Sequence, residues 1–277
     1  MRRRPRTWSR LAATGAVAAC LLTGCSSGHT QSLVWSDEFS GAAGAAPDPS
    51  TWKAVTGGGG FGNNELECYT DSRDNSALDG NGYLVITARK DPGHACAGGR
   101  TNDFTSARLT TQNLRTFTYG TVEVRAKMPT GTGIWPAFWM LGLNHDTAGW
   151  PASGEIDVSE VIGSHGTISH GTLHGAKADG KPYSLTAQYD AGVDLSADFH
   201  TYAVTWTPDG FTFAVDGKAF SSLSKSAVEA AGSWPFDQPF YLLLNVAVGG
   251  DWPGPPSAST VWPQQMVVDW VRVYQDG

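Results

Sequence analysis

Glu155, Asp157 and Glu160 are gathered in the segment Gly154-Glu155-Ile156-Asp157-Val158-Ser159-Glu160-Val161. On a regular β-strand, alternation places Glu155 and Asp157 on one face and Ile156 and Val158 on the other, toward a core. The same alternation would send Glu160 into that core, where an unpaired carboxylate costs on the order of several kcal/mol. One extra residue at Val158-Ser159, a β-bulge, returns Glu160 to the face of Glu155 and Asp157 and puts Val161 back in the core. Three acids then line one exposed face. Carboxylates this close repel and raise one another's pKa, which disfavours stability and suits acid/base work. A retaining glycosidase needs such a pair, one carboxylate to attack and one protonated carboxyl to donate, about 5 to 5.5 Å apart. The intervening backbone spans roughly 13 Å, so the strand has to bow concave toward solvent. The plain alternative is three acids on a solvated strand face.

The tryptophans nearby suit a sugar. Trp135 and Trp139 share one strand face while Ile134, Pro136, Phe138 and Met140 take the other, and sugar C–H faces stack on such rings. Leu242, Leu244, Val246 and Val248 form a second apolar face, so Asn245 points away from it with an amide able to bond hydroxyls. His170 and His174 share a strand face, and with a carboxylate they could imitate a zinc site. A zinc hydrolase needs three convergent ligands and an open position. The sequence has no His-Glu-x-x-His run, and paired glutamates explain the chemistry without metal. His174 is expected beside Glu160, adjusting its protonation, with His170 structural.

The elements that would carry these residues are nearly all strands. Val122, Val124 and Ala126 alternate with Thr121, Glu123, Arg125 and Lys127; Tyr202 to Trp206 leads through Pro208-Asp209-Gly210 into Phe211 to Val215, and Asp216-Gly217 marks another tight turn. Leu33 to Phe39, Tyr83 to Arg89, Ala107 to Thr111, His170 to His174, Phe240 to Val248 and Met266 to Tyr274 read as further strands, and Lys225 to Ala231 as the best short helix. Strands at this spacing, with frequent Gly and Pro, predict an all-β fold of two packed antiparallel sheets, a sandwich or jelly roll. Residues 33–277 read as one domain with no linker or repeat.

The start of the chain speaks to compartment. Arg2, Arg3, Arg4, Arg6 and Arg10 precede an apolar run from Leu11 to Leu22, the pattern of a secretory signal, too short to span a bilayer. Leu22-Thr23-Gly24-Cys25 resembles a bacterial lipobox. Residues 1–25 are therefore expected to be a lipoprotein signal with Cys25 lipidated, residues 26–32 a short tether, and the protein held outside the cell membrane by its lipid or released to the medium. With the five arginines of residues 1–25 set aside, 14 Lys+Arg face 26 Asp+Glu, a formal charge of −12. That balance disfavours nucleic acid or anionic lipid as partner and is comfortable with a neutral one. Apart from the lipid, no membrane contact is expected, and the protein is expected to be a monomer. Of four cysteines, Cys68 and Cys96 remain for one disulfide in an exported protein.

The segment Trp150 to Glu160 resembles the signature of the laminarinase-type members of glycoside hydrolase family 16, in the bulged Glu-x-Asp-x-x-Glu form. The likeness extends through Trp35-Ser36-Asp37-Glu38-Phe39, Asn63-Asn64-Glu65-Leu66, Gly133 to Trp139, His170 to His174 and Gly249-Gly250-Asp251-Trp252-Pro253. It implies a β-jelly roll with an open cleft, Glu155 as nucleophile, Glu160 as acid/base and Asp157 tuning the pair. It also implies that Asn64, Arg108 and Trp252 line the cleft. A structural calcium is implied on the convex side, held by the backbone oxygens of Glu38 and Gly82 with Asp269, while catalysis needs no cofactor. Two departures stand out: Ser159 where methionine is common, and Glu67-Cys68 where glutamine and an aromatic residue are common.

The expected activity is a retaining endo-β-glucanase acting on internal 1,3-linkages of a neutral, laminarin-like glucan. The alternatives are a mixed-linkage 1,3-1,4-glucanase, a transglycosylase, or a glucan-binding lectin that would have no need of Glu155 and Glu160.

Overall fold

The structure, a computed structural model, describes Gln31–Gly277. The signal and lipidation readings, including Cys25, fall on residues 1–30 and lie outside the described residues. The strands are β1 (Gln31–Asp37), β2 (Lys53–Val55), β3 (Glu67–Tyr69), β4 (Ser76–Leu78), β5 (Leu84–Ala95), β6 (Thr101–Ser106), β7 (Arg108–Thr110), β8 (Gly120–Lys127), β9 (Ile134–Gly142), β10 (Glu155–Glu160), β11 (Ile168–Ala176), β12 (Pro182–Asp190), β13 (His200–Thr207), β14 (Gly210–Val215), β15 (Lys218–Ser224), β16 (Phe240–Val248) and β17 (Gln264–Asp276). Two short helices accompany them, α1 (His145–Ala148) and α2 (Lys225–Glu229).

These strands form two sheets. The smaller runs β12-β11-β10-β9-β16-β7-β2; the larger runs β15-β14-β13-β8-β17-β5-β6-β3, with β1 on β17 and β4 on β5. All pairings are antiparallel except β3 with β6. The result is the expected β-jelly-roll sandwich. Its core forms where the apolar faces meet: Val122, Val124 and Ala126 of β8 and Tyr202, Val204 and Trp206 of β13 lie in one cluster with Phe138 and Met140 of β9, Ile156 and Val158 of β10, and Leu242, Leu244, Val246 and Val248 of β16. The alternation in the sequence thus selects the inner face of both sheets. Gly171 of β11 faces the same interior, where an added Cβ would stand 2.7 Å from the Phe213 ring. The close approach leaves no room for a side chain.

One boundary moves. Gln31 and Ser32, expected in the tether, pair with Asp276 and Gln275 as the start of β1. Their backbone groups find partners at an otherwise open sheet edge, so the ordered chain begins before residue 33. Cys68 and Cys96 are disulfide-bonded, with Cα atoms 5.3 Å apart.

Candidate active site

The bulge in β10 is present at the expected place. Against β9, Asp157 faces Trp139 and Ser159 faces Phe138, so Val158 is the inserted residue. Against β11 the register slips between Asp157 and Glu160 in the same way. Ile156, Val158 and Val161 all enter the core. Ser159 also turns inward, where its hydroxyl and that of Ser169 bond each other at 2.9 Å. This pairing satisfies two buried hydroxyls that would otherwise be costly.

Glu155, Asp157 and Glu160 consequently share the outer face of the smaller sheet, on the floor of a cleft of about 710 Å³. The expectation of an exposed face needs correction: Asp157 is 2% and Glu160 9% exposed. Neighbouring walls bury the acids, which changes their chemistry. Burial, reinforced by the charge of Asp157, pushes Glu155 up to about 8, and burial raises Asp157 to about 8. Glu160 is raised well above the ordinary carboxyl range, first by burial and then by Asp157 and Glu155. His174 opposes the rise at both glutamates, and Arg108 adds its opposition at Glu155.

The walls come from neighbouring strands. Trp135 and Trp139 of β9 both face the cleft; the Trp135 indole N–H donates to Glu160 Oε1 at 3.0 Å and that of Trp139 to Asn245 Oδ1 at 2.7 Å. Asn245 faces the cleft from β16, as its alternation with Leu244 and Val246 requires. Arg108 of β7 lays its guanidinium 4.6 Å from the Trp139 ring centre and 5.1 Å from that of Phe61. Trp252 closes one side, edge-on to Trp135 at 5.5 Å between centroids.

Two residues are placed differently from expectation. His174 pairs across the ladder with Glu155, and His170 with Glu160. The His174 ring therefore sits at the opposite end of the acidic row, with Nε2 3.1 Å from Asp157 Oδ2 and 3.8 Å from Glu155 Oε1. Ser184 holds its Nδ1 at 2.8 Å. His170 lies against the Glu160 backbone oxygen at 3.2 Å and edge-on to Trp252 at 4.9 Å, away from the His174 group. Asn64 adopts φ 56° and turns its amide to Asp251, 2.9 Å to Oδ1. Its neighbours Asn63 and Glu65, with Phe61, line the cleft in its place. Phe61 and Asn64 both take left-handed backbone in this turn, at φ 44° and 56°. Trp150, Thr172 and Thr186 also line the cleft without having been singled out for it; Thr172 could have been read from its alternation between His170 and His174.

Among the described residues, the group able to gather a metal ion is Glu155, Asp157 and His174, whose ligand atoms lie within 4.8 Å of one another. The zinc arrangement weighed from sequence required His170 and His174 together, and the two point to different surroundings. On the opposite sheet, the Glu38 oxygen lies 3.9 Å from where a Cβ on Gly82 would stand, so these two backbones adjoin. Asp269 is the inserted residue of a bulge between Val268 and Trp270, and its Oδ2 accepts from Arg125. These groups are all oxygens, the kind a hard cation takes, and the Asp269 carboxylate is already paired with Arg125.

Chemically, the cleft holds two glutamates in unequal settings. Glu160 is buried and faced by two acids, which hold it well above the ordinary carboxyl range against the Trp135 indole donor. Glu155 has His174 and Arg108 to favour its anion and Asp157 within hydrogen-bonding reach, so that pair holds a proton between its members. A sugar anomeric carbon between an anionic Glu155 and a protonated Glu160 would meet a nucleophile and an acid from a single strand.

An antiparallel jelly roll with a tryptophan-walled cleft and paired carboxyls on a bulged strand defines a glycosidase of the β-sandwich class. The sequence model described as "Glycosyl hydrolases family 16" matches residues 63–272, and the chain belongs to that family. It is similar to a "Beta-glucanase" of Rhodothermus marinus, 40% identical over 255 residues covering 88% of this chain and 85% of that protein. A "Glucan endo-1,3-beta-glucosidase" of Cryptopygus antarcticus is 40% identical over 256 residues, covering 87% and 91%. Among solved structures, the laminarinase catalytic domain of Thermotoga maritima MSB8 superposes with a TM-score of 0.81 at 44% identity, covering 89% of this chain and 99% of that one.

Proposed function

We propose that this protein is a retaining endo-1,3-β-glucanase that cuts internal bonds of a neutral, laminarin-like glucan. The observation that carries the reading is the trio Glu155, Asp157 and Glu160 on the floor of an open cleft walled by Trp135, Trp139 and Trp252. Glu155 attacks the anomeric carbon as Glu160 protonates the leaving oxygen; Glu160, now a base, then takes a proton from water, which releases the sugar with retained configuration. Asp157 accommodates the proton that leaves Glu155 free to attack, and His174, with Nε2 3.1 Å from Asp157 Oδ2, favours the anionic state of the pair. Trp135 fixes Glu160 through its indole N–H and, with Trp139 and Trp252, offers ring faces to sugar. Arg108 and Asn245 supply donors to hydroxyls. Relatives named for 1,3-glucan cleavage support the linkage.

Product analysis on laminarin, barley glucan and agarose tests the assignment. Oligosaccharides of intermediate length from laminarin are expected, and activity confined to agarose would refute the substrate while leaving the mechanism intact. The lipobox pattern supports anchoring through Cys25 at the outer face of the cell membrane; incorporation of labelled fatty acid, abolished by Cys25→Ala, checks it. A structural calcium bound by Glu38, Gly82 and Asp269 belongs to the same proposal, supported by the adjoining backbones of Glu38 and Gly82. A melting temperature unmoved by millimolar calcium after chelation would count against it.

A further inference from the structure

Glu67 is a fully buried carboxyl that the chemistry above does not use. It stands at 0% exposure on β3, directly behind the cleft wall. Its Oε2 accepts the Val248 backbone N–H at 2.6 Å, while its Oε1 is buried with no donor. The side chain within hydrogen-bonding reach is another acid, Glu65, which is 7% exposed and lines the cleft. Glu65 is supplied with donors on both oxygens: Asn63 Nδ2 to Oε1 at 3.0 Å and the Tyr69 hydroxyl to Oε2 at 3.0 Å. The Tyr69 oxygen in turn accepts from Asn245 Nδ2 at 3.1 Å, and Asn245 Oδ1 accepts from the Trp139 indole at 2.7 Å. Every donor in this chain points one way, from Trp139 through Asn245 and Tyr69 to Glu65. Such a chain ends on an acceptor that gives nothing back to it.

We propose that Glu67 is held as a neutral carboxylic acid whose Oε1 proton is donated to the Glu65 carboxylate, so that a carboxyl buried behind the cleft positions one that lines it. The orphaned oxygen is then the proton's seat and ceases to be unsatisfied. Two anions this close in a buried setting would repel each other. On β3 the neighbour is the Tyr69 phenol. On β6, Phe104 stands opposite and Asn102 gives its amide to the Glu67 backbone oxygen at 2.8 Å. On β16 the contact is the Val248 backbone. Arg108 of β7 is the cation on this side of the cleft, and it acts on Tyr69. Burial first, and the Glu65 charge second, hold Glu67 well above the ordinary carboxyl range.

A protonated glutamate has the shape of a glutamine, with O–H in place of N–H₂. The difference is that this proton can leave. Glu67 is thus a positioning residue that makes the wall formed by Glu65, Tyr69, Asn245 and Trp139 dependent on pH. When it ionises, Glu65 loses a donor and gains a buried like charge.

The test uses the mature protein and Glu67→Gln, with Glu67→Leu and Glu65→Gln as companions. Infrared difference spectra between wild type and Glu67→Gln should show the carbonyl stretch of a protonated acid near neutral pH, fading as pH rises. The folded pKa is raised, so the stabilising effect is complete below the unfolded value of about 4.3 and is lost as pH rises to the folded value. The melting temperature of wild type should therefore fall relative to Glu67→Gln by about 3 °C per pH unit over that range. Glu65→Gln should move the midpoint of this loss to lower pH. With an activated aryl glycoside, which does not need Glu160 as acid, Glu67→Leu should raise KM and Glu67→Gln should restore it without the alkaline decline. This kinetic arm rests on the glucanase reading; the spectroscopic and thermal arms do not. Absence of the acid band together with a pH-independent melting difference would overturn the proposal even in a fully active enzyme.

Discussion

Strands β8 and β10 sit in opposite sheets and carry similar patterns, apolar residues alternating with charged ones, yet their charges meet opposite fates. On β8, Glu123 lies across the ladder from Arg272, and Arg125 donates to Asp269 and covers the Phe199 ring at 4.6 Å. Arg272 is itself clamped onto Glu38 at 2.9 and 3.0 Å. Opposite signs alternate across this outer surface, and Glu123 is raised only by partial burial that Arg272 opposes. On β10, three acids are more deeply buried, with His174 and Arg108 as the opposing charges. The first arrangement disperses charge as an ordinary sheet surface does. The second concentrates it where solvent cannot screen it, a cost in stability that identifies the place where protons are to be moved.

The largest effect that separates the strands is on turnover. Glu155→Ala should lower activity by about 10⁴-fold or more with every substrate, because no covalent intermediate forms. Glu160→Ala should cost about 10² to 10⁴-fold with laminarin and far less with an activated aryl glycoside, which needs little protonation. Azide should rescue the two with different stereochemistry: an inverted α-azide from Glu155→Ala and a retained β-azide from Glu160→Ala. The reverse pattern would exchange the two roles. Full activity in both variants would reduce β10 to the kind of surface that β8 is.

A finer distinction lies in what compensates the acids. His174 lowers the pKa of Glu155, and Glu155 must be ionised to attack. Removing the imidazole in His174→Ala should raise that pKa and move the acidic limb of kcat/KM to higher pH, by about one unit at this separation in a buried setting. A limb that stays in place while overall activity falls would make His174 a substrate contact and nothing more.

The legibility of these features follows from how local their causes are. The bulge was readable because only an inserted residue keeps both Val161 in the core and Glu160 out of it, and the ladder shifts at Val158. The inner faces of β8, β9, β13 and β16 followed from alternation alone. His174 was misplaced because its neighbour depends on register between two strands, and a bulge on one of them shifts every partner beyond it. Asn64 leaves the cleft to Asn63 and Glu65 because its backbone is left-handed, at φ 56°, a conformation that asparagine tolerates but that its residue type does not dictate. The depth at which the acids lie was unreadable for a similar reason: walls from Phe61, Arg108 and Trp252 are distant in sequence and meet only in the fold.

The smallest expected effect is thermal, and it bears most directly on the contrast between the strands. Glu160 has a folded pKa raised well above its unfolded value of about 4.3. Between those values the unfolded chain sheds a proton that the folded one keeps, so wild type loses stability as pH rises until Glu160 itself ionises. Glu160→Gln removes that loss. Its melting temperature relative to wild type should climb by about 3 °C per pH unit above pH 4.5, in a variant with little activity. Glu123→Gln on β8 removes a half-exposed acid faced by Arg272, and its melting temperature should track wild type within about 2 °C over the same range. Equal and flat pH responses in both variants would mean that the row on β10 carries no electrostatic strain. A steep response confined to Glu160→Gln would measure directly what the cleft gives up in stability to keep an acid protonated for catalysis.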